Sequence, residues 1–393
     1  MGSSTYFRTG LLFWMVALAL AAGARVSART AQSSASPQAQ TPQESATATA
    51  LPAGYTGKDI FELACSTCHG LDGKGAPRST VGFDLELPDF TDCEFATPEP
   101  LADWFAVIHD GGPIRGLDSH MPAFGDALSA DDIEKVIAHL WTFCSDPGWP
   151  RGDLNLPRTF FIEKAFPENE IIFTTAIAAR GESSIGGEVL YEKRFGVRNQ
   201  LEVAVPLDLQ QNRDATWSRG LGDVAVALKR ALYASVDTGR IVSVGGEVVL
   251  PTGKESAGLG RGFTVYEPFA LFGQVLPRGM FLQAQAGIEI PSDHEKGNNE
   301  VFWRGGFGGT LAQDRGFGRA WTPMVEVLWA RQTSGTPEWD VVPQMQVTLS
   351  KLQHVMISGG VRIPINERGE RHTQVMTYLL WDWFDGGFFE FWR

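Results

Sequence analysis

Cysteine is scarce in this 393-residue chain, with four residues at positions 65, 68, 93 and 144, too few for a scaffold built on disulfides. Basic side chains are scarce in one stretch: between Gly54 and Pro147 five stand against seventeen acidic ones, a net −12 out of the chain's −13. Such a field excludes a nucleic-acid surface and suits a basic partner or a cation, and acidity that only keeps the domain soluble explains it equally. Neither a Ser-His-Asp constellation nor a nucleotide loop is present to make a conventional enzyme. Beyond the first 22 residues no charge-free apolar run is long enough for a membrane helix, so anything that crosses a membrane there crosses as strands.

What is present is ample for two domains: 43% of the residues are hydrophobic and 20% charged. Arg8, an apolar run from Leu11 to Ala22 and the small residues Val26-Ser27-Ala28 read as an export signal over 1–28. The run is shorter than the roughly 20 residues a span needs, which makes a retained anchor the weaker alternative. Residues 29–53, mostly Ala, Ser, Thr, Gln and Pro, cannot bury a core and read as a flexible linker.

Residues 65–69 read Cys-Ser-Thr-Cys-His. Two thiols three positions apart on one helical turn can each form a thioether with a haem vinyl group, while His69 turns its imidazole onto the iron. Zinc would want a second ligand pair, which is missing, and a redox dithiol would follow a strand, whereas Ile60-Phe61-Glu62-Leu63 precedes on the same predicted helix. The motif therefore implies one covalent haem c. Gly70-Leu71-Asp72-Gly73-Lys74-Gly75 follows as a tight loop, His120-Met121-Pro122-Ala123-Phe124 lies downstream, and a closing helix starts at Ser129, an N-cap with Asp131 and Asp132 in the first turn. Its apolar positions Ile133, Val136, Ile137, Leu140 and Trp141 form one stripe, and His139 lies off it as a surface histidine. Trp104, Phe105 and Ile108 suggest another core helix.

This order of helix, CxxCH, glycine-rich loop, Met-Pro-x-Phe and helix resembles the all-α class I cytochrome c family over residues 54–147. The resemblance implies that Met121 is the sixth iron ligand through its soft thioether sulfur. His109 and His120 are rival ligands, and core packing is the alternative role for Met121. Cys93 and Cys144 are left either as an oxidised pair, which export favours, or as two free thiols.

Residues 148–169 read as a connector, and from about Glu170 the pattern changes to period two. Twelve strand-like segments can be placed, at roughly 170–180, 186–196, 199–210, 221–233, 241–251, 263–276, 280–291, 300–312, 319–331, 339–350, 353–365 and 372–384. An even count suits a closed antiparallel barrel over 170–393, and the alternation of short and long polar connections suits an outer-membrane barrel with both ends in the periplasm. Asp223, Lys229, Glu247, Glu289, Glu326 and Arg362 on the polar face suggest a water-filled lumen, and Trp303, Trp321, Trp329, Trp339 and Trp381 suggest interface girdles. A soluble β-sandwich is the alternative. Gly220-Leu221-Gly222-Asp223-Val224 and Val249-Leu250-Pro251-Thr252-Gly253-Lys254 resemble an outer-membrane family described as phenol-degradation-pathway transporters, although the chain ends Phe391-Trp392-Arg393 and not on the terminal phenylalanine of many such barrels.

A cytochrome joined to such a barrel resembles the fused cytochrome-porin proteins, iron oxidases among them, in architecture. The expectation is an outer-membrane haem-c electron carrier whose cytochrome domain docks at the periplasmic mouth. Its implied partners are a periplasmic cytochrome or other redox protein, membrane lipid, and a small reductant or metal ion as donor. The competing expectation is a pore or transporter with the cytochrome as redox gate or sensor.

Overall fold

The computed structural model describes residues 54–144, 146, 148–178, 184–211, 217–311, 320–350, 354–367 and 371–382. The expected export signal and linker and the residues Phe391-Trp392-Arg393 lie outside them. The first part is helical, with α1 (Gly57–Ala64), α2 (Ser66–His69), α3 (Arg78–Val81), α4 (Cys93–Ala96), α5 (Leu101–Asp110) and α6 (Ala130–Leu140).

Each long helix starts where its cap dictates. Thr56 and Asp59 form a reciprocal capping box on α1, and the Ser129 hydroxyl accepts from Asp132 N on α6. The apolar stripe of α6 buries Ile133, Val136, Ile137 and Leu140 against Ile60 and Phe61 of α1 and Phe105 and Ile108 of α5. Burying each such side chain contributes about 1.5–3 kcal/mol. The crossing is close enough that a Cβ on Gly57 would fall 1.9 Å from Lys135 O, so no larger residue fits there. Cys93 and Cys144 form a disulfide with Cα atoms 5.1 Å apart, tying α4 to the chain just past α6. His139 is not a plain surface residue: its ring packs edge-on to Phe61 and Phe143 at 5.4 and 5.1 Å.

The second part is one antiparallel sheet that closes on itself, because β1 pairs with both β2 and β13. Its strands are β1 (Glu170–Ala178), β2 (Ser184–Phe195), β3 (Asn199–Gln211), β4 (Trp217–Leu221), β5 (Ala225–Ser235), β6 (Arg240–Val249), β7 (Val265–Val275), β8 (Met280–Pro291), β9 (Glu300–Gly309), β10 (Trp321–Gln332), β11 (Glu338–Thr348), β12 (Val355–Pro364) and β13 (Gln374–Asp382). β4 and β5 both pair with β3, so the thirteen segments make twelve staves, as the periodicity predicts. The stave expected at 221–233 starts earlier and breaks at Gly222-Asp223-Val224. There Asp223 leaves the wall, and its carboxylate accepts from Gly253 N at 2.9 Å and Arg261 N at 2.6 Å in the loop after β6. Thr252 Oγ1 donates to Gly222 O at 3.0 Å, so the break also joins the two phrases that carried the transporter resemblance.

Outward positions are apolar and exposed, among them Leu228, Leu232, Tyr266, Phe272, Leu282 and Phe307, while their strand neighbours are buried and often polar. This is inside-out for a soluble sandwich and right for a barrel in lipid. Trp303, Trp329 and Trp339 sit side by side on β9, β10 and β11, and Trp321 lies eight residues from Trp329 at the other end of β10. That separation is about 27 Å along the strand, in keeping with two girdles around an apolar band about 25 Å tall.

The lumen departs from expectation. It is not simply water-filled, because residues 154–169 of the connector run into it from the short-turn end. Glu326 accepts the backbone N–H groups of Phe160, Phe161 and Ile162, each at 3.0 Å. Arg158 bridges Glu170 and Glu192 at 2.8 and 2.9 Å, and Lys164 bridges Glu168 and Glu170 at 2.6 and 3.1 Å. Lys229 Nζ, Gln283 Nε2 and Arg304 Nη1 donate to connector carbonyls. Inward glycines make the room: a Cβ on Gly306 would meet Ile162 at 2.8 Å and one on Gly360 would meet Phe160 at 2.7 Å. Of the residues that read as lining a wet channel, Lys229 and Glu326 bind this polypeptide, whereas Asp223 and Glu289 bind Arg261 and Arg362 binds Asp340.

Candidate functional site

The CxxCH segment sits on the break between α1 and α2. Cys65 N closes α1 by donating to Phe61 O at 2.9 Å, and Cys65 O accepts from Cys68 N at 3.2 Å and His69 N at 3.0 Å. This single turn puts both thiols and the imidazole at the head of one short helix. The following loop is fixed by Gly75 N donating to His69 O at 2.9 Å and Ala76 N to Cys68 O at 2.7 Å. Gly70, Gly73 and Gly75 all have positive φ, which explains why the loop is rich in glycine.

Met121 is held by a fold-back after α5. The φ of Gly111 is 86°, and a Cβ on Gly112 would fall 2.3 Å from Asp118 O and 3.1 Å from Met121 Cβ. The glycine pair lets the chain fold back so that Gly112 N donates to Met121 O at 3.0 Å. Sequence reasoning missed this pair, although two adjacent glycines after a helix are a signal of a tight reversal.

Cys65 and Met121 both pack against the cluster that holds Phe61, Phe90 and Phe105, and the His69 ring lies on Phe90 at 4.9 Å between centroids. Each rival histidine has a carboxylate on its Nδ1. His109 stacks on Phe105 at 5.6 Å and bonds Asp110 at 2.8 Å, and His120 lies on Phe83 and bonds Asp118 at 2.6 Å.

The donor set suits a haem. His69 Nδ1 is buried with no hydrogen-bond partner among the described residues, and burial lowers the imidazole pKa, which keeps the ring neutral as a metal ligand must be. Burial and the neighbouring Cys68 push the Cys65 thiol up to about 11, unlike the low-pKa thiolate of a redox pair. Cys65 and Cys68 are not joined to each other, in contrast to Cys93 and Cys144. Trp104 Nε1, beside Phe90 and Phe95, is a second buried donor without a partner among the described residues.

The helical part docks on the short-turn mouth of the barrel. Gly152 N donates to Thr97 O at 2.8 Å, Leu101 N to Asp153 Oδ1 at 3.0 Å, and Arg194 Nη2 of β2 to Thr97 Oγ1 at 3.3 Å. Arg151 lies over the Trp141 ring at 3.2 Å, and Arg198 in the β2–β3 turn donates to Gly148 O at 2.6 Å. Sequence reasoning missed Arg115, which is buried between Glu99 at 3.0 Å and Asp103 at 2.9 Å and braces α5.

No curated protein matches this sequence. Residues 52–140 match the family model described as cytochrome c oxidase, cbb3-type, subunit III. Among solved structures, an outer membrane channel from Pseudomonas putida F1 is similar at 10% identity, covering 58% of this chain and 100% of that one, with a TM-score of 0.41. The KdgM porin, at 10% identity, covers 55% of this chain and 99% of its own with a TM-score of 0.37. The corresponding values for outer membrane phospholipase A from Escherichia coli are 9% identity, 57%, 99% and 0.34. The chain thus carries a cytochrome c domain within residues 52–140, fused to a closed twelve-strand β-barrel.

Proposed function

We propose that this protein is a haem-c electron carrier held at the outer membrane by its barrel, with the cytochrome domain on the periplasmic side. One haem would be held by thioether bonds to Cys65 and Cys68, with His69 and Met121 as axial ligands. When bound, the haem supplies a one-electron couple. The chain's own residues attach it, keep His69 neutral, offer a soft sulfur in Met121 that favours reduced iron, and surround it with acidic charge that suits a basic redox partner. The observation that carries the reading is that Cys65 and Met121 pack against one buried cluster, with the His69 ring on Phe90 of the same cluster.

The barrel supports anchoring better than conduction. A reductant or metal ion entering by the lumen would meet the connector before the cytochrome, so a donor that approaches the mouth or the exposed cytochrome surface fits better. The test is a redox titration of wild type and Met121→Ala, with covalent haem checked by denaturing mass spectrometry. Loss of the weak long-wavelength band of iron–sulfur ligation and a midpoint lowered on the order of 100 mV are expected. An unchanged band and midpoint would sink the assignment of Met121, and absence of covalent haem would sink the reading itself.

The connector also gives the second reading its basis, since it touches both the cytochrome and the lumen. A pore gated by haem oxidation state would show single-channel conductance that changes with redox poise.

A further inference from the structure

Paired positions of the barrel wall set a row of carboxylates inside the lumen. Asp382 of β13 stands opposite Glu170 of β1, Glu170 opposite Glu192 of β2, and Glu192 opposite Glu202 of β3. Ala227 of β5 interrupts the row, opposite Glu202 on one side and Glu247 of β6 on the other. It resumes with Glu247 opposite Glu267 of β7, and Glu289 of β8 opposite Glu300 of β9. The pairing of Tyr266 with Ile290 sets Glu267 beside Glu289. Because barrel strands tilt, a row of paired residues climbs the wall. This one climbs from the short-turn end, where Asp382 closes β13 and Glu170 opens β1, to the long-loop end, where Glu300 opens β9.

Like charges directly opposite each other destabilise a sheet. The lower half has its partners within the chain: His354 on Asp382 at 2.7 Å, Arg158 across Glu170 and Glu192, and Lys229 on Glu202 at 3.1 Å. At the upper end Glu289 has Arg261 at 2.7 Å, and Glu300 has the side chain of Gln332. Between them, Glu247 and Glu267 take no hydrogen bond or ion pair among the described residues, although Glu267 is only 9% exposed. The partnerless carboxylate oxygens that are sealed from solvent belong to Asp153, Glu163, Glu168, Glu192 and Asp340, so those of Glu247 and Glu267 stay within reach of a bound molecule. On β8 and β9 the connector reaches Gln285 and Arg304, four residues short of Glu289 and Glu300 in the row. The charge of Arg304 extends to both glutamates, but its guanidinium is bonded to Phe161 O at 2.7 Å and Gln285 Oε1 at 3.1 Å.

We propose that Glu247 and Glu267 form the binding site of a small organic cation, an alkyl ammonium or guanidinium, that enters from the long-loop end. The precedent lies in the same row: Glu170 and Glu192 stand directly opposite each other, as Glu247 and Glu267 do, and one guanidinium bridges them. The N–H donors of such a cation are shared between two carboxylates, which relieves the repulsion that the bare pair carries. A metal ion fits less well, because no three histidine, cysteine or acidic side chains among the described residues converge as a metal site requires. The pair's chemistry depends on the barrel and its register and not on whether haem is attached.

The probes are butylguanidinium, butylammonium, tetramethylammonium, butyrate and calcium. They are added to the full-length protein in an uncharged detergent at neutral pH and physiological ionic strength, which screens the acidic helical part, and followed by calorimetry and saturation-transfer NMR. Butylguanidinium or butylammonium should bind, tetramethylammonium, which has no N–H donor, should bind about tenfold more weakly, and butyrate should not bind. Calcium should not displace the bound probe. Glu267→Gln keeps the shape of the side chain, removes one charge and should weaken binding about tenfold. Heat-modifiable gel migration checks that the variant keeps its barrel, and the wild-type comparison of probes stands without it. The proposal is overturned if neither N–H cation binds, in which case the pair is neutralised by shared protons. It is equally overturned if tetramethylammonium or butyrate binds as tightly, if calcium displaces the probe, or if folded Glu267→Gln binds like wild type, which would put the probe on the acidic helical part.

Discussion

Phe160, Phe161 and Ile162 present three consecutive backbone N–H groups to the Glu326 carboxylate at 3.0 Å each, and Gln344 Nε2 adds a fourth donor at 2.6 Å. Glu326→Ala takes the acceptor from all of them at once. At about 1–3 kcal/mol per stranded donor, and with water entering the space to offset part of the loss, the low end for the three amides is about 3 kcal/mol against the seated connector. That is a factor of about 150 in the ratio of withdrawn to seated forms. The strand ladders and the Arg158 and Lys164 bridges are untouched, so the barrel should remain folded. In planar bilayers wild type should be nearly silent, and Glu326→Ala should show channel openings with a probability about two orders of magnitude higher. Steady conductance by wild type, or silence of a properly folded Glu326→Ala, would refute the reasoning that this carboxylate holds the lumen shut.

Breaking the Cys93–Cys144 disulfide with Cys93→Ser and Cys144→Ser releases a loop of 51 residues; chain entropy gives about 4 kcal/mol, read as a lower guanidinium midpoint of the haem band with the barrel transition unmoved. His139 has its pKa lowered by burial first and by Lys58 second, with Glu62 opposing. Its stabilising share is therefore fully present above pH about 6.5 and is lost as pH falls from there through the lowered folded value, so His139→Phe should flatten that part of the stability–pH curve. Arg158→Met leaves Glu192 as a buried carboxylate without its ion pair, while Glu170 keeps Lys164, and should cost about 3–5 kcal/mol. Arg194→Met removes Nε and Nη1, which have no acceptor among the described residues, but also the bond to Thr97 and the stack on Trp149, so gain and loss should offset to within about 1 kcal/mol in the same denaturation assay.

The staves were legible because outward and inward environments alternate with the strand, and a period of two survives any register. The break at Gly222-Asp223-Val224 was not, because an aspartate on the polar face and one that leaves the wall to hold Gly253 and Arg261 look alike in sequence. The CxxCH turn was legible because attachment and ligation demand fixed residues at fixed spacing. The fold-back at Gly111-Gly112 that holds Met121 depends on a close approach between distant backbone atoms, and half-buried His139 is packed against Phe143, which lies beyond the helical stripe. The connector shows the limit most clearly. Its partners Glu326, Gln283, Lys229 and Arg304 lie 65 to 166 residues away, and charges facing a peptide segment have the same alternation as charges facing water.

That connector also bears on the two readings of the whole chain. It meets the barrel through two buried ion-pair bridges, the Glu326 carboxylate and several side chains that grip its carbonyls. The helical part is held at the mouth by the bonds at Thr97 and Leu101 and by the Arg151–Trp141 stack. With the Arg198–Gly148 bond included, four hydrogen bonds at about 0.5–1.5 kcal/mol each and a cation–π contact of about 0.5–1 kcal/mol give this joint a strength of roughly 2.5–7 kcal/mol. Swinging the lumen from almost always shut to almost always open needs about 5.5 kcal/mol delivered through it. The joint is thus of the same size as the work that gating needs, so its strength does not separate an anchored electron carrier from a redox-gated pore, and conductance measured against redox poise is what does.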